Sequence, residues 1–250
     1  MSLIDVRDLT CRYGSRTILQ DVSFSVTAGE VLAILGGSGC GKSTLLKHLI
    51  GLYPPASGSI CIGGDEFVGA QSTTRQRILR RIGVMYQSGA LFGSMSVLDN
   101  VRLPLETFTR LDARAIETLA RLKLRQVGLE DFAELFPAEL SGGMQKRAAI
   151  ARAMVLDPQI LFLDEPSAGL DPLTSAGLDK LIRELAASQG MTFVVVTHEL
   201  ASINAIADRA IMLDRSVQGI IATGSPAELA THPDPLVSGF FRREAPARAQ

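Results

Sequence analysis

The chain has 250 residues, a formal net charge of −1 and 20% charged side chains. That balance removes any global electrostatic case for a nucleic-acid or lipid-headgroup binder, and disorder is not its default. The length buries an ample core, either as one large α/β domain or as a domain with an inserted subdomain, and Cys11, Cys40 and Cys61 lack metal-ligand spacing, which suits a reducing compartment.

In chain order, MSLIDVRD has no apolar segment behind a basic start, so nothing marks it for secretion. Residues 3–13 and 18–27 read as two strands separated by YGSRT, and the alternation in LQDVSFSV predicts an antiparallel, half-exposed sheet. VLAIL at 31–35 is a short strand. GGSGCGKST follows at 36–44 and fits G-x-x-x-x-G-K-[ST], with Gly36, Gly41, Lys42 and Ser43 in the fixed places. Leu45, Leu46, Leu49 and Ile50 then recur at helical spacing, which completes the strand, loop and helix that this motif requires. The backbone of Gly37, Ser38, Gly39 and Cys40, freed by glycine, can turn successive N–H groups inward as an anion nest at the start of the helix. In this reading Gly36 to Thr44 cradle the phosphates of a nucleotide, Lys42 reaches the outer ones, and the Ser43 hydroxyl coordinates a bridging Mg²⁺. Cys40 reads as a small filler whose alkylation should block nucleotide.

Gly58–Gly63 and Ile82–Met85 read as a strand pair bracketing the helical TTRQRILRR. From about Gly89 to Arg152 the character is that of a helical insertion. DARAIETLARLKLRQVG puts Ile116, Leu119, Ala120, Leu124 and Val127 on one face, with Gly128 as the stop. In LSGGMQKRAAIARAM, at 140–154, Ser141 is a good N-cap and Gly142 and Gly143 expose backbone N–H groups, a second anion site at a helix start.

ILFLDE and TFVVVTHE are nearly continuous apolar runs, as parallel strands buried on both faces require, with a helix between them from about Leu173 to Ser188. Asp164 and Glu165 close the first of these strands at its carboxyl end, where ligands collect in open α/β sheets. Asp164 is placed to hold Mg²⁺ through water and Glu165 to polarise the water that attacks the γ-phosphate. Alone, such a pair is more often a solvated turn; the phosphate loop upstream reverses that weighting. Two anion-binding helix starts in one chain are reconciled most simply by a head-to-tail homodimer, in which Ser141 to Gly143 of one copy close over the γ-phosphate held by the other. The apolar runs stop far short of the ~20 residues that cross a bilayer. The tail after His232, rich in proline, arginine and alanine, is expected to fray.

Together these motifs resemble the ATP-binding cassette (ABC) ATPases, over about residues 3–230. The resemblance implies the P-loop NTPase fold in its ABC form, an α/β architecture with a mainly parallel core sheet, an antiparallel β subdomain and an inserted helical subdomain. It implies one ATPase domain over 1–235, with core and β subdomain from 1–88 and 153–235 and the helical signature subdomain from 89–152, followed by a tail at 236–250. It also implies that Tyr13 stacks on adenine, that Gln87 in YQSG is a neutral ligand to Mg²⁺ or to the lytic water, and that SAGLD at 167–171 is the D-loop. His198 would contact the γ-phosphate as an orienting donor. The family's signature usually reads LSGGQ; here Met144 takes the fifth place, which leaves the anion site intact but can alter the contact with the nucleotide sugar or partner.

Finer matches in MYQSGALFGSMSVLDNVRLPL, PSAGLDPLTSAGLDKLI and HPDP are similar to the ATPase subunits of Mla/Mkl-type phospholipid transporters. That similarity implies a separate MlaE-like permease, an MCE-domain protein, a small STAS-domain partner and a peripheral place on the cytoplasmic face of the inner membrane. Leu91, Phe92, Met95 and Val97 are expected to form the groove that receives a permease helix. The alternatives are the ATPase of an amino-acid importer or of a lipoprotein-release system. More distant is a soluble nucleic-acid ABC protein, which would need a long coiled coil or a second cassette; no nucleic-acid partner is expected.

Overall fold

The computed structural model describes residues 2–243. Strands β1 (Ser2–Tyr13) and β2 (Arg16–Thr27) pair antiparallel and bury Ile4, Val6, Leu9, Leu19, Val22 and Val26, with register shifts that interrupt the alternation and bury Leu9, Thr10 and Cys11 in succession. β4 (Ser57–Ile62) pairs antiparallel with the other side of β1, and the two-residue β5 (Asp65–Glu66) completes a four-stranded sheet.

The core sheet has six strands in the order β10 (Gly219–Gly224), β9 (Arg209–Asp214), β3 (Val31–Gly36), β8 (Thr192–Val196), β7 (Ile160–Asp164) and β6 (Ile82–Met85). β3 lies between β8 and β9, and β7 and β6 extend it in the same direction. Only the edge strand β10 runs antiparallel. β3 and β8 are buried along their whole length, which explains their nearly unbroken apolar sequence. The period of two sends Leu161, Leu163, Phe193 and Val195 into one cluster and Ile160, Phe162, Val194 and Val196 into another. The first cluster includes the helical lobe; the second includes the phosphate-loop helix α1 (Lys42–Leu49) and the antiparallel sheet.

β4 and β6 are therefore not a strand pair. They bracket α2 (Ser72–Leu79), but β4 belongs to the antiparallel sheet and β6 to the parallel edge beside β7. Adjacency in sequence carries no information about which sheet a short strand joins.

α3 (Val97–Phe108), α4 (Ala113–Gln126) and α5 (Gly142–Met154) pack on one another. Ile116, Ala120, Leu124 and Val127 are buried with Leu119 against them, as the helical spacing predicts, and Gly128 follows the helix at φ +72°. Asp171 caps α6 (Pro172–Gln189), whose position between β7 and β8 is that of a crossover helix. α7 (Leu200–Ile206) and α8 (Pro226–Ala230) cover the β9–β10 end of the sheet.

The expected fraying tail is instead a helix where it is described. Asp234 accepts from the Leu236 N–H at 2.8 Å and caps α9 (Pro235–Arg242), so the expected domain end at 235 and the tail beginning at 236 fall at and inside this helix. Proline at its first position starts the helix rather than breaking it, and Val237 is fully buried with Phe240 and Phe241 packed nearby. The remainder of the expected tail, 244–250, lies outside the described residues. Among the described residues no helix is long and apolar enough to cross a membrane.

Candidate functional site

β3 delivers the chain into the glycine loop at Gly36, whose φ is +140°. A Cβ there would lie 2.3 Å from the Leu213 carbonyl oxygen and 2.6 Å from Cys40 Sγ, so no larger residue fits. Gly41, at φ +109°, turns the chain into α1 and starts its ladder, the Leu45 N–H donating to its carbonyl at 2.8 Å. Gly37, Ser38, Gly39 and Ser43 are exposed on the outer side of the loop, and Thr44 is half-buried. The Lys42 ammonium curls over the loop and donates to the carbonyls of Gly36 at 2.8 Å and Gly37 at 3.1 Å. Cys40 is the small filler that the sequence suggests, on the core side of the loop and 2% exposed, and burial pushes its thiol up, with Lys42 opposing. A thiol so placed fills space behind the cradle and is poorly available to an alkylating reagent.

At the carboxyl end of β7, Asp164 Oδ1 and Glu165 Oε2 are buried with no hydrogen-bond partner among the described residues. Burial raises the Asp164 carboxyl above the usual range, Glu165 raises it further, and Lys47, Lys42 and Lys146 pull it back. Glu165 adopts φ +45°, rare for a residue with a side chain, while its N–H donates to the Val196 carbonyl at 2.8 Å. Its Oε1 accepts from His198 Nδ1 at 2.8 Å. The unsatisfied buried oxygen of Asp164, close enough to Lys42 of the phosphate loop to feel its charge, suits a ligand to a phosphate-bound Mg²⁺, and the unpartnered Glu165 oxygen beside it suits a base.

Gln87 and Asp164 meet in one open cleft of about 540 Å³, lined also by Tyr86, Ser88, Ala168 and Gly169. The cleft's outer wall is gripped by α5. The buried Lys146 ammonium donates to the Gln87 carbonyl, and Arg152 donates to those of Gly89 at 2.9 Å and Ala90 at 2.8 Å. Burial pushes the Lys146 ammonium down, against the pull of Asp164, Glu165 and Glu199. Sequence reasoning passed over this lysine. The available signal was its helical spacing, which sets Lys146 on the same face as the buried Gly143 and Ile150.

At the start of α5 the Ser141 hydroxyl accepts from the Met144 N–H at 3.3 Å, capping the helix. Ser141 and Gly142 are exposed, whereas a Cβ at Gly143 would lie 2.3 Å from Thr174 Cγ2. The nearest neighbours of the two glycines, Leu170 and Thr174, belong to the D-loop and α6 rather than to the phosphate loop. Met144 packs against the main core, and the Gln145 amide donates to the carbonyls of Pro137 at 2.9 Å and Leu140 at 3.3 Å. The glutamine displaced from the fifth place thus fastens the turn that presents Ser141. Tyr13 stands at the end of β1, 42% exposed, its ring edge-to-face with Tyr53. Of the expected permease groove, Phe92 is 51% exposed, Leu91 and Met95 are half-buried, and Val97 is fully buried at the start of α3, where it serves the core.

The structure thus brings together Lys42 with Gly36 and Gly37, Asp164 with Gln87, and Glu165 with His198. It leaves Ser141, Gly142 and Gly143 beside α6. Residues 19–168 match the family model described as ABC transporter. The chain is 41% identical over 241 residues to the intermembrane phospholipid transport system ATP-binding protein MlaF of Escherichia coli K12, covering 96% of this chain and 88% of that protein. It is 42% identical over 238 residues to the probable ribonucleotide transport ATP-binding protein mkl of Mycobacterium leprae, covering 95% of this chain and 68% of that protein. A dimeric post-hydrolysis structure of the ATP-binding cassette MJ0796, bound to ADP and Pi, superposes with a TM-score of 0.80 at 30% identity, covering 89% of this chain and 98% of that one. With the phosphate loop, the strand-end carboxylates and these similarities in hand, the chain belongs to the ABC transporter family as an ATP-binding, ATP-hydrolysing subunit.

Proposed function

We propose that the chain energises phospholipid transport across the cell envelope as a head-to-tail homodimer beneath a separate MlaE-like permease. The similarity to MlaF across nearly the whole chain is the observation that carries this reading. An MCE-domain protein and a small STAS-domain protein would complete the assembly, and the chain would sit peripherally on the cytoplasmic face of the inner membrane. Residues 89–152 act as the helical signature subdomain of a single ATPase domain.

Within each site, Tyr13 receives the adenine ring, and Lys42 with the backbone of Gly37 to Thr44 holds the β- and γ-phosphates. Ser43, Gln87 and Asp164 would hold Mg²⁺, which when bound neutralises charge developing on the phosphate oxygens. Glu165 takes a proton from the attacking water. With both ring nitrogens protonated, His198 would donate Nδ1–H to Glu165 and Nε2–H to the γ-phosphate. Ser141 and Gly142 of the second copy, both exposed, complete the cradle. Gln87 senses the phosphate, and the grip of Lys146 and Arg152 passes that state to the exposed Phe92 face.

Affinity purification from native membranes, followed by reconstitution in phospholipid vesicles, tests the substrate class. The reading expects an MlaE-like permease and an MCE-domain protein to co-purify, with ATP-dependent movement of phospholipid. Recovery of an amino-acid permease, or transport of ribonucleotides and not lipid, would overturn it.

A further inference from the structure

Beside the expected base platform lies an aromatic arrangement that no nucleotide-binding motif accounts for. The Tyr13 and Tyr53 rings meet at right angles, 87° between planes and 5.7 Å between centroids. Behind Tyr53 stands His48 of α1, its ring 6.2 Å from that of Tyr53 and 1% exposed. The Thr44 carbonyl, 2.8 Å from His48 Nδ1, can only accept, so the proton sits on Nδ1. Nε2 is left as a buried acceptor without a partner among the described residues.

The turn carrying Tyr53 is fixed at both ends. Gly51 and Leu52 N–H groups donate to the His48 and Lys47 carbonyls at 3.0 and 2.9 Å, and the Ala56 N–H donates to the Thr10 carbonyl of β1 at 2.8 Å. A Cβ at Gly51 would lie 2.4 Å from Phe67, and Arg75, stacked over that ring, donates to the Gly51 carbonyl. Pro54 and Pro55 follow directly and confine the Tyr53 backbone to extended conformations. Tyr53 is nevertheless 44% exposed. A rigid, aromatic-backed turn holding a half-exposed ring against another half-exposed ring does little for the core.

We propose that Tyr53 is a positioning residue for the nucleotide base: it fixes the attitude of the Tyr13 ring and ties it, through His48, to the helix that carries the phosphate loop. This rests on the reading of Tyr13 as the adenine platform. Without Tyr53, Tyr13 samples other rotamers and must be ordered on binding, which weakens the base contact but not the phosphate contacts.

The test compares binding of two probes by the full chain, the β,γ-imido analogue of ATP and inorganic tripolyphosphate, each with Mg²⁺. Tyr53→Ala is expected to raise Kd for the ATP analogue about fivefold, the scale of one aromatic pair, with tripolyphosphate unchanged. Tyr53→Phe keeps the ring and should bind both probes like the parent. Tyr13→Ala is the control for the platform itself. If Tyr13→Ala weakens the analogue and Tyr53→Ala does not, the positioning role is wrong. If Tyr13→Ala has no effect, the platform reading fails and the proposal with it. Equal loss of both probes in Tyr53→Ala would mean a general disturbance of the phosphate loop and would also overturn it.

Discussion

His198 Nδ1 lies 2.8 Å from Glu165 Oε1, so the second residue after β8 holds the carboxylate of the first residue after β7. The histidine is largely exposed while the glutamate side chain is 13% exposed, which makes His198 a movable clasp on a nearly buried base. His198→Ala should lower kcat by about 10²-fold, the usual scale for losing an orienting group in proton transfer, with ATP affinity within twofold of the parent. Steady-state hydrolysis beside equilibrium binding reads both. A parallel loss in binding would mean that the γ-phosphate contact of His198, and not its hold on Glu165, dominates its role.

Ser141 is exposed, its neighbours Gly142 and Gly143 approach Leu170 and Thr174 rather than the phosphate loop, and in the proposed dimer it serves the partner's nucleotide. Ser141→Arg should leave binding by an isolated subunit unchanged and reduce hydrolysis by about 10²-fold, the scale of losing a preorganised anion donor. Mixed with Lys42→Ala subunits, it should regain activity beyond the sum of the two alone, because each mixed dimer has one site with neither defect. No regain would argue that Ser141 and Lys42 act within one chain.

Asp179, on α6, is 5% exposed and its Oδ1 has no partner among the described residues. Burial raises its pKa and Glu199 raises it further, with the Ser202 hydroxyl opposing. The folded state therefore holds the proton more tightly than the unfolded chain, and stability falls as pH rises from the ordinary carboxylate range through the raised value. Asp179→Asn should raise Tm by a few degrees at pH 7, with the gain vanishing below the ordinary carboxylate range. Thermal melts across that range check it; a gain independent of pH would mean that the buried charge is not its source.

Much of this architecture was legible because single physical constraints decide it. β3 and β8 are almost wholly apolar because both faces are covered, and Gly36 tolerates no Cβ, so strand and loop are written locally. The α4 face follows from helical spacing alone. Sheet membership of β4 and β6 was not legible, since it depends on partners distant in sequence. The burial of Val97 was missed because an apolar run after a glycine-rich turn looks the same whether it starts a core helix or an exposed groove. α9 was missed because Pro235 reads as a breaker until Asp234 is seen to cap it. The hydrogen bond from Lys146 to Gln87 spans two segments that nothing in either one connects.

The central claim is that ATP joins two copies of this chain and that its cleavage releases them. Light scattering on Glu165→Gln measures this most directly, because the variant keeps the phosphate cradle and loses the group that polarises water. With MgATP the mass should double and turnover nearly vanish, while with ADP the chain should remain single. A Glu165→Gln chain that stayed monomeric in saturating MgATP, or that hydrolysed it at the parental rate, would contradict the account.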